Sequence, residues 1–156
     1  MNSAGAQILE SSGKRTLQIV LAEDNLADVM LVRLALERAS LYCHLRILND
    51  GAETIAFLEN LDTNPNAGPI DLVLLDLNLP RRRGEEILKR LRSTENYAQT
   101  PVVVLTGSDA PSDHANAQKH AARHYFRKPD SLAGYMELGV IVRDLLFPGQ
   151  AVKGDE

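Results

Sequence analysis

The sequence contains one cysteine, Cys43, so no internal disulfide can form and a reducing cytoplasm is the expected compartment. No metal-ligand spacing surrounds Cys43, which reads as a small core filler rather than a reactive thiol. No apolar stretch approaches the length of a membrane span, and the N-terminus lacks the apolar core of a signal peptide. Excess positive charge is also missing. The net charge of -4 argues against broad attraction to nucleic acid. There is no internal repeat, no low-complexity tract and no linker leading to a second domain. What is present is ordinary for one soluble domain: 156 residues, 44% apolar and 24% charged. A chain of this size buries about 70% of its unfolded surface and needs no staples.

Residues 1–16 are rich in Ser, Gly, Ala and Gln and predict a mobile arm, with a short helical turn around Gln7-Ile8-Leu9-Glu10. A domain over residues 17–147 follows, with a tail from 148 to 156. The strands are read at Leu17–Leu21, His44–Leu48, Asp71–Leu75, Pro101–Leu105 and around Tyr125-Phe126. The helices are read at Leu26–Ala39, from Asp50-Gly51 through Glu59, at Gly84–Arg92, Pro111–Ala122 and Leu132–Leu146. The intervening Asp62–Pro69 stretch is a loop by composition. Five strands alternating with five helices predict an α/β fold, a doubly wound parallel sheet with helices on both faces. Alternation alone leaves the strand order open.

Chemistry collects at the strand ends. Asp76 closes the apolar run Asp71-Leu72-Val73-Leu74-Leu75, and Glu23-Asp24 follow the first strand. Thr106 follows the fourth strand and Lys128 the fifth. In a doubly wound sheet these ends meet at one crevice. Three carboxylates in one cleft repel one another and call for a cation; Mg2+ suits them because it takes hard oxygen ligands and bridges to phosphate. A hydroxyl and an ammonium opposite them match the oxygens of a phosphoryl group. One of the carboxylates could then attack phosphorus and become an aspartyl phosphate. Singly, each residue is more often a helix cap or a turn residue; together, at successive strand ends, they are hard to obtain by chance.

The motifs Leu21-Ala22-Glu23-Asp24-Asn25, Leu75-Asp76-Leu77-Asn78-Leu79-Pro80 with Gly84, Leu105-Thr106-Gly107-Ser108 and Lys128-Pro129 resemble those of the response-regulator receiver domains of two-component signalling, over roughly Leu17 to Leu146. The resemblance implies a five-stranded (βα)5, flavodoxin-like fold with strand order 2-1-3-4-5 and phosphorylation of Asp76. It implies Mg2+ held by Asp24, Asp76 and the backbone carbonyl of Asn78, with Glu23 acting through water. Thr106 and Lys128 would contact phosphoryl oxygens, and the Lys128-Pro129 bond would be cis. Thr106 and Tyr125 would form the switch, the hydroxyl moving toward the phosphoryl group as the ring turns inward.

Some positions depart from the pattern. Gly107 stands where Ala is common, leaving more room beside the site. Ala121-Ala122 replaces a frequent Gly-Ala, so the turn there should differ. The Asn60–Pro69 stretch is long, and Arg81-Arg82-Arg83 forms a basic loop that reads as solvated surface, with kinase docking as the functional alternative.

Within the family the chain looks like the small single-domain regulators paired with phytochrome-type histidine kinases. Output is then expected through phosphorylation-dependent contact with another protein or through phosphorelay. On the last helix Tyr135, Leu138, Val142, Leu145 and Leu146 share one side, while Leu132, Met136, Val140 and Phe147 lie on an adjacent sector. That surplus of apolar surface predicts a homodimer through the helix-five region. The main competing reading is an aspartyl-nucleophile phosphohydrolase. Such enzymes of haloacid-dehalogenase type place a second Asp two residues after the nucleophile, where this chain has Asn78, which cannot shuttle a proton. A flavodoxin-type phosphate binder would want a Gly- or Ser/Thr-rich loop where the acidic Ala22-Glu23-Asp24-Asn25 stands.

Overall fold

A computed structural model describes residues 16–107 and 110–149 of the chain. The expected N-terminal turn near Gln7, Ser108 and the last seven residues lie outside the described residues. The elements alternate without exception: β1 (Leu17–Ala22), α1 (Leu26–Arg38), β2 (Cys43–Leu48), α2 (Gly51–Thr63), β3 (Leu72–Asp76), α3 (Gly84–Arg92), β4 (Val102–Thr106), α4 (Pro111–Lys119), β5 (His124–Arg127) and α5 (Leu132–Leu146). The strands form one sheet ordered β2-β1-β3-β4-β5, with every neighbouring pair parallel. This is the doubly wound order that the family resemblance implied.

Strand composition sets strand position. Every residue of β3 and β4 is buried, as a strand covered on both faces requires. Along the three inner strands, alternate residues enter two separate cores. Ile19, Leu21, Leu72, Leu74, Val103 and Leu105 pack with residues of α1 and α5. Val20, Ala22, Val73, Leu75, Val102 and Val104 pack with residues of α2, α3 and α4. Burying one such Leu or Val side chain contributes about 1.5–3 kcal/mol. These apolar strands therefore hold the carboxylates that end them in a fixed position.

The starts of α1, α2 and α5 are capped by side chains that follow the strands, whereas α3 and α4 have no side-chain cap. The Asn25 side chain accepts from the Asp28 N–H, the Asp50 side chain from the Glu53 N–H and the Ser131 side chain from the Gly134 N–H. At α2 the cap is reciprocal, because Glu53 Oε1 accepts from the Asn49 N–H at 2.7 Å. Gly84 opens α3 against the β3–α3 loop: a Cβ there would lie 2.7 Å from the Leu77 Cα.

Two helix ends differ from the expected bounds. α2 runs to Thr63, past Glu59, because Leu61 is buried in the second core and holds another turn. α4 stops at Lys119 rather than Ala122, because Ala121 turns the chain with φ 60°. The turn before β5 therefore keeps the left-handed conformation that a glycine would adopt easily, but with a Cβ in it. Among the described residues no helix is long and apolar enough to cross a membrane.

Candidate metal centre at the carboxyl edge of the sheet

β1, β3, β4 and β5 deliver Glu23-Asp24, Asp76, Thr106 and Lys128 to the same edge. Side-chain oxygens of Glu23, Asp24 and Asp76 lie within 4.8 Å of one another. Glu23 and Asp76 are buried, at 1% and 4% exposure, whereas Asp24 faces solvent. Asp76 Oδ1 accepts from the Asn78 N–H at 2.9 Å, and Asp76 Oδ2 accepts from Lys128 Nζ at 3.0 Å. Glu23 Oε2 accepts from the Asn25 N–H at 3.1 Å. Thr106 is fully buried, and its carbonyl oxygen accepts from the Lys128 N–H at 2.7 Å, which anchors the start of the β5–α5 loop.

The electrostatics follow from this crowding. Burial pushes the Glu23 carboxyl up to about 7; the Asp76 charge adds to the rise, while the Lys128 ammonium and the Asn25 N–H oppose it. Burial works against the Lys128 charge, but Glu23, Asp28 and Asp76 outweigh it and raise the ammonium above its ordinary value. Lys128 Nζ lies 2.9 Å from Glu23 Oε1. That contact is an ion pair, with no regular hydrogen bond to this buried oxygen. The ion pair offsets part of the cost of burying this oxygen, and a divalent cation would meet the coordination it still lacks. The donor set is all hard oxygen and mostly preorganised, so these residues fit a divalent cation such as Mg2+ or Mn2+.

The Lys128-Pro129 bond is trans, not cis: no cis peptide bond occurs among the described residues. The trans form is the lower-energy one by about 0.5–1 kcal/mol for X-Pro bonds. Here nothing opposes it. Lys128 already reaches its carboxylates, and the Pro129 ring stands over the first turn of α5, where Gly134 leaves room; a Cβ at Gly134 would lie 2.7 Å from the Pro129 Cβ.

Tyr125, the expected switch residue, is half-buried on β5 and stacks on His114 of α4, with ring centroids 3.6 Å apart and planes 20° from parallel. The three arginines of the basic loop are exposed, and two of them make surface ion pairs. Arg81 Nε lies 3.5 Å from Asp50 Oδ2, and Arg82 pairs with Glu86 one turn along α3. Beside this loop an open cleft of about 560 Å³ is lined by Asn78, Arg83, Glu85, Asp113 and Asn116 among others, from the β3–α3 loop, α3 and α4.

Two residues that sequence reasoning passes over also belong to the site. Asp28 Oδ2 accepts from Lys128 Nζ at 3.0 Å, and Asp28 Oδ1 accepts from the Tyr135 hydroxyl at 2.8 Å. In sequence, Asp28 reads as an acidic residue in a helix's first turn and Tyr135 as part of an apolar face. The available signal is the tyrosine itself, since a buried phenol needs a partner.

Comparison with known proteins gives one consistent result. A family model described as "Response regulator receiver domain" matches residues 19–137. Response regulator Rcp1 of Synechocystis is 39% identical over 95 residues, which cover 61% of this chain and 65% of Rcp1. The matched stretch thus spans just under two thirds of that relative. A probable methanogenesis regulatory protein, FilR2 of Methanothrix harundinacea, is 35% identical over 111 residues, 71% of each chain. Among solved structures, the phosphorylated cyanobacterial phytochrome response regulator RcpA superposes with a TM-score of 0.76 at 28% identity, covering 90% of this chain and 100% of that one. The Mn2+-bound form of Rcp1 gives 0.73 at 30% identity, with 90% and 99% coverage.

Proposed function

The chain belongs to the response regulator receiver domain family, and from that premise we propose that Asp76 is its phosphoacceptor, taking a phosphoryl group from a sensor histidine kinase in a Mg2+-dependent step. The observation that carries the reading is the state of Asp76: a buried carboxylate at the carboxyl end of a central strand, 3.0 Å from the Lys128 ammonium and grouped with Glu23 and Asp24.

The chemistry is a displacement at phosphorus. An Asp76 oxygen forms the new O–P bond as the donor's P–N bond to histidine breaks, and the imidazole leaves with the electron pair and takes up a proton. The Asn78 N–H on Asp76 Oδ1 fixes the carboxylate plane before the reaction. Lys128 and the Thr106 hydroxyl supply a positive charge and a donor to the phosphoryl oxygens. Glu23, Asp24, Asp76 and the Asn78 carbonyl would hold Mg2+, whose contribution when bound is to neutralise charge on the phosphoryl group. Asn78, two residues after the nucleophile, has no proton to exchange, so this site stores a phosphoryl group rather than turning one over. The protein is a signalling protein of the receiver class; its self-catalysed loss of phosphate is the one hydrolytic step expected of it.

The test is Mg2+-dependent labelling by a small phosphodonor such as acetyl phosphate. Asp76→Asn should abolish labelling and chelation should suppress it, whereas undiminished labelling of Asp76→Asn would sink the assignment. Asp76 turnover of a generic phosphomonoester would instead support a phosphohydrolase.

The partner reading is a phytochrome-type histidine kinase, supported by the likeness to Rcp1 and to the phytochrome response regulator RcpA. Phosphotransfer profiling against a panel of histidine kinases checks it directly. A receiver domain over residues 17–147, a cytoplasmic setting and a Thr106–Tyr125 switch complete the proposal. Homodimerisation through the α5 region belongs to it too, on a narrower surface than the helical wheel implied. Met136, Ile141, Leu145, Leu146 and Phe147 pack at the margin of the α1–α5 core. Leu132 and Val140 stay exposed on α5, as do Leu26 and Met30 on α1. Sedimentation showing monomer alone at tens of micromolar, with and without a phosphoryl mimic, would remove the dimer.

A further inference from the structure

Lys128 has a partner that phosphoryl transfer does not require. Its ammonium touches Glu23 Oε1 at 2.9 Å, Asp76 Oδ2 at 3.0 Å and Asp28 Oδ2 at 3.0 Å. The first two oxygens belong to the carboxylates that can share one cation; among the described residues that group is Glu23, Asp24 and Asp76, and Asp28 stands outside it. Lys128 therefore shares two carboxylates, Glu23 and Asp76, with the group that could hold a divalent cation. A divalent cation on these carboxylates repels an ammonium at contact distance, and an ammonium pushed away from them in a pocket this buried needs another counter-charge.

Asp28 is built to be that counter-charge. Its second oxygen accepts from the Tyr135 hydroxyl at 2.8 Å, and its backbone N–H is bound to the Asn25 side chain at 3.0 Å. The Tyr135 ring is 2% exposed and packs against Phe126, with centroids 6.0 Å apart, so the hydroxyl has little freedom to leave. The carboxylate is thus oriented from α5, across the α1–α5 core, with one oxygen turned to Lys128.

We propose that Asp28 is a positioning residue, the berth that keeps the Lys128 ammonium when a divalent cation takes Glu23 and Asp76, and that Tyr135 holds this berth in place. The inference rests on the reading of Glu23, Asp24 and Asp76 as a cation site, and its test reads cation binding and not phosphorylation. Asp28 acts through Lys128, so its effect must disappear when Lys128 is gone.

The experiment is a Mg2+ titration followed by backbone amide shifts in the parent protein, Asp28→Asn, Tyr135→Phe, Lys128→Met and the Lys128→Met combinations with each of the first two. In the parent background Asp28→Asn should weaken Mg2+ binding about tenfold and Tyr135→Phe, which leaves net charge unchanged, about threefold; in the Lys128→Met background both losses should fall below about twofold. Equal weakening in the two backgrounds would mean that Asp28 acts on the cation through its field alone, and would overturn the proposal, as would full-strength binding by both single variants. Failure of the parent to bind Mg2+ at all removes the site reading and this inference together. The same spectra report folding, and if Asp28→Asn unfolds, Tyr135→Phe in the two backgrounds carries the comparison.

Discussion

Gly139 of α5 lies so close to Ala35 of α1 that a Cβ on Gly139 would stand 2.2 Å from the Ala35 carbonyl oxygen and 2.9 Å from the Ala39 Cβ. The two helices cover one face of the sheet together, and this contact sets their separation. On an exposed helix, Gly→Ala gains about 1 kcal/mol. Here the sign reverses, because the atom in the way is backbone and cannot turn aside. Gly139→Ala should cost about 1–3 kcal/mol, the usual range for overpacking. Chemical denaturation checks it, and a stabilised Gly139→Ala would show that the helices can move apart freely.

Ala121 makes the opposite case. It sits at φ 60°, in the left-handed region that costs a residue with a Cβ about 1–2 kcal/mol. The bonds that hold it there are backbone and survive substitution: its N–H donates to the Gln118 carbonyl, the Ala122 N–H to the Ala117 carbonyl, and its own carbonyl accepts from Arg92. Ala121→Gly should therefore stabilise the protein by about 0.5–1 kcal/mol after the extra flexibility of the unfolded chain is subtracted. Urea unfolding measures this, with an unchanged m-value as the sign that only stability has moved.

Cys43 is the single thiol, which makes its reactivity easy to read. Burial pushes it up to about 11, with the Arg33 charge opposing the shift and the Glu37 charge adding to it. At pH 8 the thiolate fraction then falls about a hundredfold below that of a thiol at its ordinary value, and the thiolate is the reacting species. A disulfide reagent should label the folded protein correspondingly slowly and the denatured protein at the rate of free cysteine. Equal rates in the two states would show an accessible thiol and contradict its reading as a core filler.

The sheet and its acidic edge are legible in the sequence for a physical reason. Strands buried on both faces read as unbroken apolar runs, and the polar residue that ends such a run, Asp76 or Thr106, is placed by the strand itself. Strand order is not carried by periodicity and is reached through the family motifs. Asp28 and Tyr135 are hidden because their bond joins residues 107 apart, and nothing local to either announces it. The bounds of α2 and α4 shift for tertiary reasons: Leu61 gains burial beyond the expected end, and Ala121 accepts a strained turn. The Lys128-Pro129 bond departs from the family expectation by taking the trans form that X-Pro bonds ordinarily favour, with Lys128 in contact with three carboxylates.

Glu23 should give the metal-free protein a characteristic pH dependence. Its folded value, about 7, lies above the 4.5 of the free side chain. Between these values the folded state binds more protons than the unfolded state, so stability must fall as pH rises. The stabilisation is fully present below about pH 4.5 and is lost as pH passes through about 7; the side chain has no solvent exposure to weaken the effect. The loss should be on the order of 2–3 kcal/mol. Adding Mg2+ should reverse the trend above pH 7, because a cation binds the deprotonated carboxylate and stabilises the folded state by mass action. Melting curves from pH 5 to pH 8 with chelator, repeated with millimolar Mg2+, test both halves, and Glu23→Gln supplies the control. That variant should flatten the chelator profile over the same range; an unaltered slope would place the titrating group elsewhere.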